Sequence, residues 1–463
     1  MFWNPESCKK HIYGVNDLIP IVKKILLKLT GHDEVKKMIT NVSWLAADRV
    51  LRMGLNLFIV GWMARYLGRE QYGIYNYAMS FTVLAAAISS FGTNTIIVRE
   101  ILCRPEDKNR ILGTSFMIRQ FGGILTVIIC VVAARFINSG DTLLQLLIFF
   151  ASMTYLVGSF DVIDLYFQSQ LKSKYAVIAN NLAFLLLSSV RIALILSGAP
   201  LVAFVIAATA EVMVAQIGMV IVFKRTGHSI LSWRWSYDIA KGLIKDSWPL
   251  MLSVISTMFY LRIGQVMLGK MYSYTELGDY SAAVKISEVW YFVPSVIYIT
   301  IYPKIIEYRK IATEIYYARL QEFFSLMAFI SYAAIVPVFF LNKLIITVIF
   351  GSQYVNAGAI LSVHIWAGLF VAMGIARNSW CNVENYTKGV FYSTLAGAVA
   401  NVLLNIPLIT WYGGMGAAYA TMIARVISGY ASTFFISRKV FIMQTKSFYL
   451  SGLFGMLKKD FLK

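Results

Sequence analysis

The sequence predicts an all-α polytopic membrane protein, with twelve transmembrane helices in two six-helix bundles around a central cavity. Three observations predict it. Apolar blocks of about 18 residues or more recur to near the C-terminus, and about 20 suffice for a helix to cross a bilayer. Of the 463 residues, 58% are hydrophobic and only 14% charged, where a soluble domain carries about 25% charged residues. The basic residues alternate with the apolar blocks and collect on one side of them.

Residues 1–40 are expected to form a basic cytoplasmic tail without a cleavable signal pattern. Ile19, Val22, Leu26 and Leu29 fall at helical spacing against Lys23, Lys24 and Lys28. That pattern suits a helix on an anionic membrane surface, and equally a solvated tail. An N-terminal bundle is expected over 41–223, with spans at 42–66, 73–98, 111–137, 142–167, 177–197 and 201–223. A cytoplasmic linker, 224–247, carries Trp233, Trp235 and Tyr237 among basic residues and reads as interfacial. A C-terminal bundle follows over 248–438, with spans at 248–270, 279–302, 321–341, 357–381, 388–411 and 415–438. Residues 439–463 form a cytoplasmic tail. With both termini inside, 29 Lys and Arg fall on the cytoplasmic side, 5 outside and 8 in the spans, of 42 in all. The split favours that orientation.

A weak internal repeat supports the boundary between the bundles. Ser43–Trp44 opens the first, and Gly73-x-Tyr75-x-x-Ala78 starts its second span. Ser247–Trp248 opens the second, and Gly278-x-Tyr280-x-x-Ala283 starts its second span. The Trp-to-Gly separation is 29 residues in one copy and 30 in the other. Equal orientation implies two bundles related by an axis along the membrane normal.

The first span is not plain hydrocarbon. Arg49, Arg52 and Asn56 share one helical face, with Asp48 beside it. Across the chain eight bases fall within spans: Arg49, Arg52, Arg119, Arg191, Arg262, Lys285, Arg377 and Arg425. Facing lipid, they would cost about 20 kcal/mol together, more than the stability of a typical domain. Most must be paired or line water. Five acids share their depth: Asp48, Asp161, Asp164, Glu211 and Glu288. Lys285 with Glu288, and Asp48 with Arg52, could form bridges along one helix. Arg377 and Arg191 could snorkel to headgroups. Arg49, Arg262 and Arg425 lie deep, without an opposite charge one turn away. The surplus of positive charge predicts a cavity for an anion, and the planar fork of Arg suits phosphate.

Enzyme signatures are missing: no phosphate loop with GK[ST], no HExxH and no G-x-S-x-G. No cofactor or metal is expected. His11, His32 and His228 lie in tails or loops, and His364 reads as a hydrogen-bonded packing residue. Cys8, Cys103, Cys130 and Cys381 show neither pairing nor metal spacing and read as small hydrophobes.

Several stretches resemble the Wzx-type polysaccharide flippases, relatives of the multidrug and toxic compound extruders and of the peptidoglycan lipid flippases. They are ARYLGREQYGIYNYA (64–78), FDVIDLYFQSQLKSKYA (160–176), SWPLMLSVIS (247–256), YLRIGQVMLG (260–269), GDYSAAVKISEVWYFVP (278–294) and YGGMGAAYATMIAR (412–425). The resemblance spans roughly 41–440. It implies a MATE-like fold and transport of an undecaprenyl-pyrophosphate-linked oligosaccharide, such as an O-antigen repeat unit, across the bacterial inner membrane. It implies alternating access coupled to an H+ or Na+ gradient, contact with membrane lipids, and a polysaccharide polymerase and chain-length regulator as partners. The cationic lumen would correspond to Arg49, Arg52 and Arg262. Gly264 stands where relatives often carry Asp, so coupling here would use another acid, Glu288 or Asp161. The basic tail is longer than usual.

The substrate set expected is Arg49, Arg52, Arg119, Arg262, Lys285, Arg377 and Arg425. The coupling set is Asp48, Asp161, Asp164, Glu211 and Glu288. A drug or metabolite antiporter of the same fold would favour an acidic cavity. A polymerase or ligase would show a large charged outer loop, and none is present. A scaffold of a glycan-assembly complex is compatible with the sequence. No nucleic-acid role is expected, because topology accounts for the basic residues. On this reading, Arg49→Ala or Arg262→Ala abolishes surface polysaccharide while leaving expression intact, as measured by glycan staining beside an immunoblot.

Overall fold

The structure is a computed structural model that describes residues 32–170 and 172–449, with backbone alone for 32–51, 253 and 387. The expected features of residues 1–31 and 450–463 lie outside it. In chain order the helices are α1 His32–Leu84, α2 Ala86–Ser90, α3 Asn94–Cys103, α4 Lys108–Ile137, α5 Thr142–Val157, α6 Val162–Ser169, α7 Lys174–Leu196, α8 Leu201–Arg225, α9 Tyr237–Met271, α10 Tyr274–Val289, α11 Phe292–Ile311, α12 Thr313–Phe350, α13 Ala357–His364, α14 Ala367–Val383, α15 Thr387–Val426, α16 Ser432–Ile436 and α17 Arg438–Phe448. No strand occurs among the described residues. Helix is the only open element that satisfies every backbone group without water, so long apolar runs adopt it.

Among the described residues, nine helices are long and apolar enough to cross a membrane. The number is ten if Arg52–Leu84 and Ala86–Cys103, which meet at 42°, form one broken span. The difference from the expected twelve lies at two glycines. In α1, Gly68 sits at φ 77°, ψ 170°, and in α15, Gly413 sits at φ 53°, ψ −130°. Both conformations suit glycine and interrupt the helix around them. Helices α9, α11, α12 and α15 carry Pro249, Pro303, Pro337 and Pro407 internally. Within a membrane bundle, neighbouring groups can re-satisfy the backbone that proline frees.

Elements before and after 224–247 share one buried cluster. It joins Tyr72, Tyr77 and Phe81 of α1 to Leu277, Tyr280 and Ala283 of α10 and to Phe350 and Tyr354 at and beyond the end of α12. Tyr77 meets Tyr274 at 5.6 Å between ring centroids, and Tyr72 meets Tyr354 at 6.1 Å. A second cluster, from Ile96 to Leu243, belongs to the earlier elements and the start of α9. The 224–247 stretch packs back on them: Ser236 N donates to Thr114 Oγ1 (3.0 Å), and Trp233 packs at a tilt on Phe116, 5.4 Å between ring centroids. Cys130 and Cys381 are free and buried. Cys103 is disulfide-bonded, a correction to its reading as a plain small hydrophobe.

The repeated Gly-x-Tyr motif has a direct structural reason. A Cβ on Gly73 would fall on the carbonyl oxygen of Tyr274, and a Cβ on Gly278 on that of Arg69. Each glycine therefore meets the carbonyl of the residue four places before the other. The contact is reciprocal, as a two-fold axis would make it. Only glycine permits this approach, and α1 and α10 close on each other there.

Gly73→Ala and Gly278→Ala should each lower the thermal midpoint in detergent by several degrees, since overpacking costs about 1–3 kcal/mol. Gly242→Ala, whose Cβ would meet nothing within 4 Å, should not.

Candidate functional site

Arg52 lies where two cavities meet. One, of about 820 Å³, is lined by Arg52, Asn56, Tyr75, Arg191, Glu211 and Lys285 among others. Lys285 comes from α10 and the other five from α1, α7 and α8, so elements from both sides of the linker form its wall. The other, of about 440 Å³, is lined by Arg52, Asn94, Arg119, Asp161, Glu211 and Gln216, with other residues of the earlier elements. Arg52 and Glu211 line both, so the two cavities adjoin at these side chains and together are called the chamber.

The side chains are held by neighbours that sequence spacing does not reveal. Arg52 donates to Asn181 Oδ1 (2.8 Å), and its guanidinium lies 5.0 Å from the centroid of the Phe184 ring. Both partners sit on α7. Arg119 is buried and donates to Asn94 Oδ1, while its Nε has no partner among the described residues. Asp161 accepts from Gln216 Nε2 at 2.5 Å and lines the smaller cavity. A three-residue-per-turn break, Gly158–Asp161, interrupts the span between α5 and α6 and presents Ser159 and Asp161 to the chamber. Asp164, one turn on, accepts from Gln168 Nε2 (2.9 Å) and is outside the chamber lining.

Other expected residues take different roles. Arg191 pairs with Glu211 at 2.7 Å and lines the larger cavity, rather than reaching headgroups. Glu288 meets Arg262 at 3.7 Å, not Lys285. Lys285 makes no ion pair among the described residues and faces the larger cavity. Arg377 is buried in α14. Its two terminal nitrogens donate to Ser428 O (2.8 Å), Ser432 Oγ (3.1 Å) and Asn378 Oδ1 (2.9 Å), neutral acceptors rather than headgroups, while its buried Nε has no partner among the described residues. Ser428 lies in the π-helical turn Ile427–Ala431. Arg425 lies 4.2 Å from the centroid of the Tyr260 ring. Neither Arg262, Arg377 nor Arg425 lines the two cavities. The side chains of Asp48 and Arg49 are outside the described set, so the expected Asp48–Arg52 bridge is too. His364 is buried, with Nδ1 2.8 Å from Ser287 Oγ, as a packing residue would be.

A family model described as "Polysaccharide biosynthesis protein" matches residues 38–309. The chain belongs to this family. The family match takes in every residue that lines the chamber. No curated protein sequence matches the chain. Among solved structures it is similar to the lipid II flippase MurJ in an inward closed conformation, at 15% identity, with 89% of this chain and 90% of that one covered and a TM-score of 0.71. It is also similar to a multidrug resistance MATE family transporter in an inward-facing conformation, at 14% identity, 85% and 96% coverage and a TM-score of 0.68. The MATE multidrug transporter DinF-BH aligns at 17% identity, 87% and 96% coverage and a TM-score of 0.56. At these identities the likeness gives the fold: a polysaccharide-biosynthesis family member with the architecture of flippases and multidrug transporters.

Sequence reasoning missed one pair in this family member. Arg69 Nε donates to Asp279 Oδ1 (2.9 Å), and a second nitrogen reaches the other carboxylate oxygen. Asp279 is fully buried and the Arg69 side chain 27% exposed. The pair sits beside the reciprocal glycines and joins α1 to α10. Its signal was present: the two residues lie in the two copies of the repeat, each within a few residues of its glycine. Gln216, Asn94 and Asn181 carried no signal, because neutral polar residues in spans are common.

Asp279→Ala should strand the Arg69 guanidinium and destabilise the fold by about 3 kcal/mol, at the low end for a broken buried pair because Arg69 keeps some water. Arg69→Met combined with Asp279→Ala should recover most of that loss in a thermal-unfolding assay.

Proposed function

We propose that this protein is a Wzx-type flippase, which moves an undecaprenyl-pyrophosphate-linked oligosaccharide, such as an O-antigen repeat unit, from the cytoplasmic to the periplasmic leaflet of a bacterial inner membrane. The observation that carries the reading is the larger cavity, where Arg52, Arg191 and Lys285 oppose the single carboxylate of Glu211. A low-dielectric chamber with a surplus of cations favours an anion. Arg52 presents a fork suited to two phosphate oxygens, and Lys285 a point charge from the later elements. A phosphate that touches both would link elements on either side of the linker, so its binding would bias their relative packing.

Transport on this reading is alternating access between two bundles of six crossings each, twelve in all, over 41–223 and 248–438. The reciprocal glycine contact and the Arg69–Asp279 pair support it, because they form a compact and separable junction at the end that the charge distribution assigns to the periplasm. Both termini would then be cytoplasmic. Coupling would use H+ or Na+ at the chamber acids. Asp161 and Glu211 line it, Glu288 is paired with Arg262, and Asp48 and Asp164 are the remaining candidates. Arg119 would extend the anion contacts into the smaller cavity, and Arg49 those of the first span. Arg262, Arg377 and Arg425 act on this reading as supports of the later bundle. A polysaccharide polymerase and a chain-length regulator are the proposed downstream partners.

The fold shared with multidrug transporters favours a second reading, a drug or metabolite antiporter. The cation surplus argues against a cationic cargo. In a translocation assay with lipid-linked oligosaccharide, Arg52→Ala and Lys285→Ala should each reduce transport about tenfold or more, the loss expected for one hydrogen bond to a charged group. Arg52→Lys should restore part of it. Undiminished glycan transport in both alanine variants, or resistance to cationic dyes that depends on Arg52, would reverse the order of the two readings.

A further inference from the structure

A third cavity adjoins the chamber and has the opposite chemistry. It is an apolar groove of about 540 Å³, lined by Phe116 of α4, Phe160 of the Gly158–Asp161 break, Met213 and Ile217 of α8, and Ile230 of the linker. Met213, Ile217 and Ile221 recur at four-residue spacing and are 52%, 50% and 47% exposed, so one stripe of α8 is open to the bilayer. Phe116 and Phe160 pack together within it, 4.8 Å apart between centroids.

The groove and the smaller polar cavity are separated by little. Gln216 lines both. Its Nε2 holds Asp161 on the polar side, and its buried Oε1 has no partner among the described residues. The Gly158–Asp161 break divides its residues between the two: Phe160 faces the groove, and Ser159 and Asp161 face the chamber. That segment packs against both α4 and α8. A charged compartment with Arg52 and Arg119 and an apolar compartment open to lipid thus share one thin wall. A molecule with an anionic head and a long hydrocarbon chain matches both.

We propose that the groove takes the first prenyl units of the lipid-linked substrate while its pyrophosphate lies in the polar chamber, with Gln216 as the partition between them. The inference rests on the anion reading of the chamber given above. Ile230 places one end of the groove against the linker, on the side assigned to the cytoplasm, where such a substrate would be loaded.

Two probes separate the parts. Binding of undecaprenyl pyrophosphate and of inorganic pyrophosphate is measured on the purified full chain in phosphatidylcholine nanodiscs. Ile217→Trp and Met213→Trp fill the groove from its lipid-facing rim, where a larger apolar side chain is tolerated by the fold. Each should weaken undecaprenyl pyrophosphate binding about tenfold, the equivalent of roughly two buried methylenes. Neither should change binding of inorganic pyrophosphate. Unchanged long-chain binding in both variants, with normal head binding, would overturn the proposal. So would a photoactivatable phosphatidylcholine that labels Met213 and resists displacement by excess undecaprenyl pyrophosphate, since the groove would then hold annular lipid. If inorganic pyrophosphate fails to bind but the long-chain form binds and responds to the variants, the anion reading of the chamber falls and the groove assignment survives.

Discussion

Charge buried in a membrane must find a partner or water, and most of this structure follows from how each guanidinium meets that demand. Ordinary carboxylates answer for Arg191 and Arg262. Carbonyls and hydroxyls at a helix irregularity answer for Arg377. An aromatic face answers for Arg425, and an amide with an aromatic face for Arg52. Lys285 is left to the cavity itself. Arg262, Arg377 and Arg425 are thus held by fixed neighbours away from the chamber, whereas Arg52 and Arg191 have such neighbours and still line it, and Lys285 lines it without an ion pair among the described residues.

A second requirement is that helices from either side of the linker approach closely at one end. Glycine at matching positions of a duplicated motif meets it, and the carbonyls that the two glycines contact lie in matching positions too. The buried Arg69–Asp279 pair then fixes the register of that approach. Sheer hydrophobicity would not give such a defined junction between two apolar surfaces in lipid, because lipid competes equally for both. Small residues and one charge pair do.

Much of the fold was legible. Span positions followed from apolar blocks, and the breaks at Gly68 and Gly413 fell at the short turns expected between spans. Of the charged residues expected within spans, Arg52, Arg119, Asp161, Glu211 and Lys285 line the cavities, whereas Arg262, Arg377 and Arg425 do not. What spacing could not give was partnership across helices. Along one helix, Lys285 and Glu288 are neighbours, yet the carboxylate turns to Arg262 on α9. Arg377 reads as a snorkelling side chain from its depth, but it donates indoors to a carbonyl 51 residues later. Tertiary contacts of this kind have no local signature. The apolar groove left no signature either, because lipid-facing and groove-lining residues have the same composition.

The Arg191–Glu211 pair carries a consequence for selectivity. On the proposed reading, the pair would give the lumen a counterion of its own. An anionic guest would then have to compete with a built-in, covalently tethered carboxylate. A monovalent solute would gain little by that exchange, whereas on the proposed reading a pyrophosphate with several charged oxygens would engage Arg191 as well as Arg52 and Lys285. Discrimination against abundant small ions would then arise from internal competition rather than from the width of any opening.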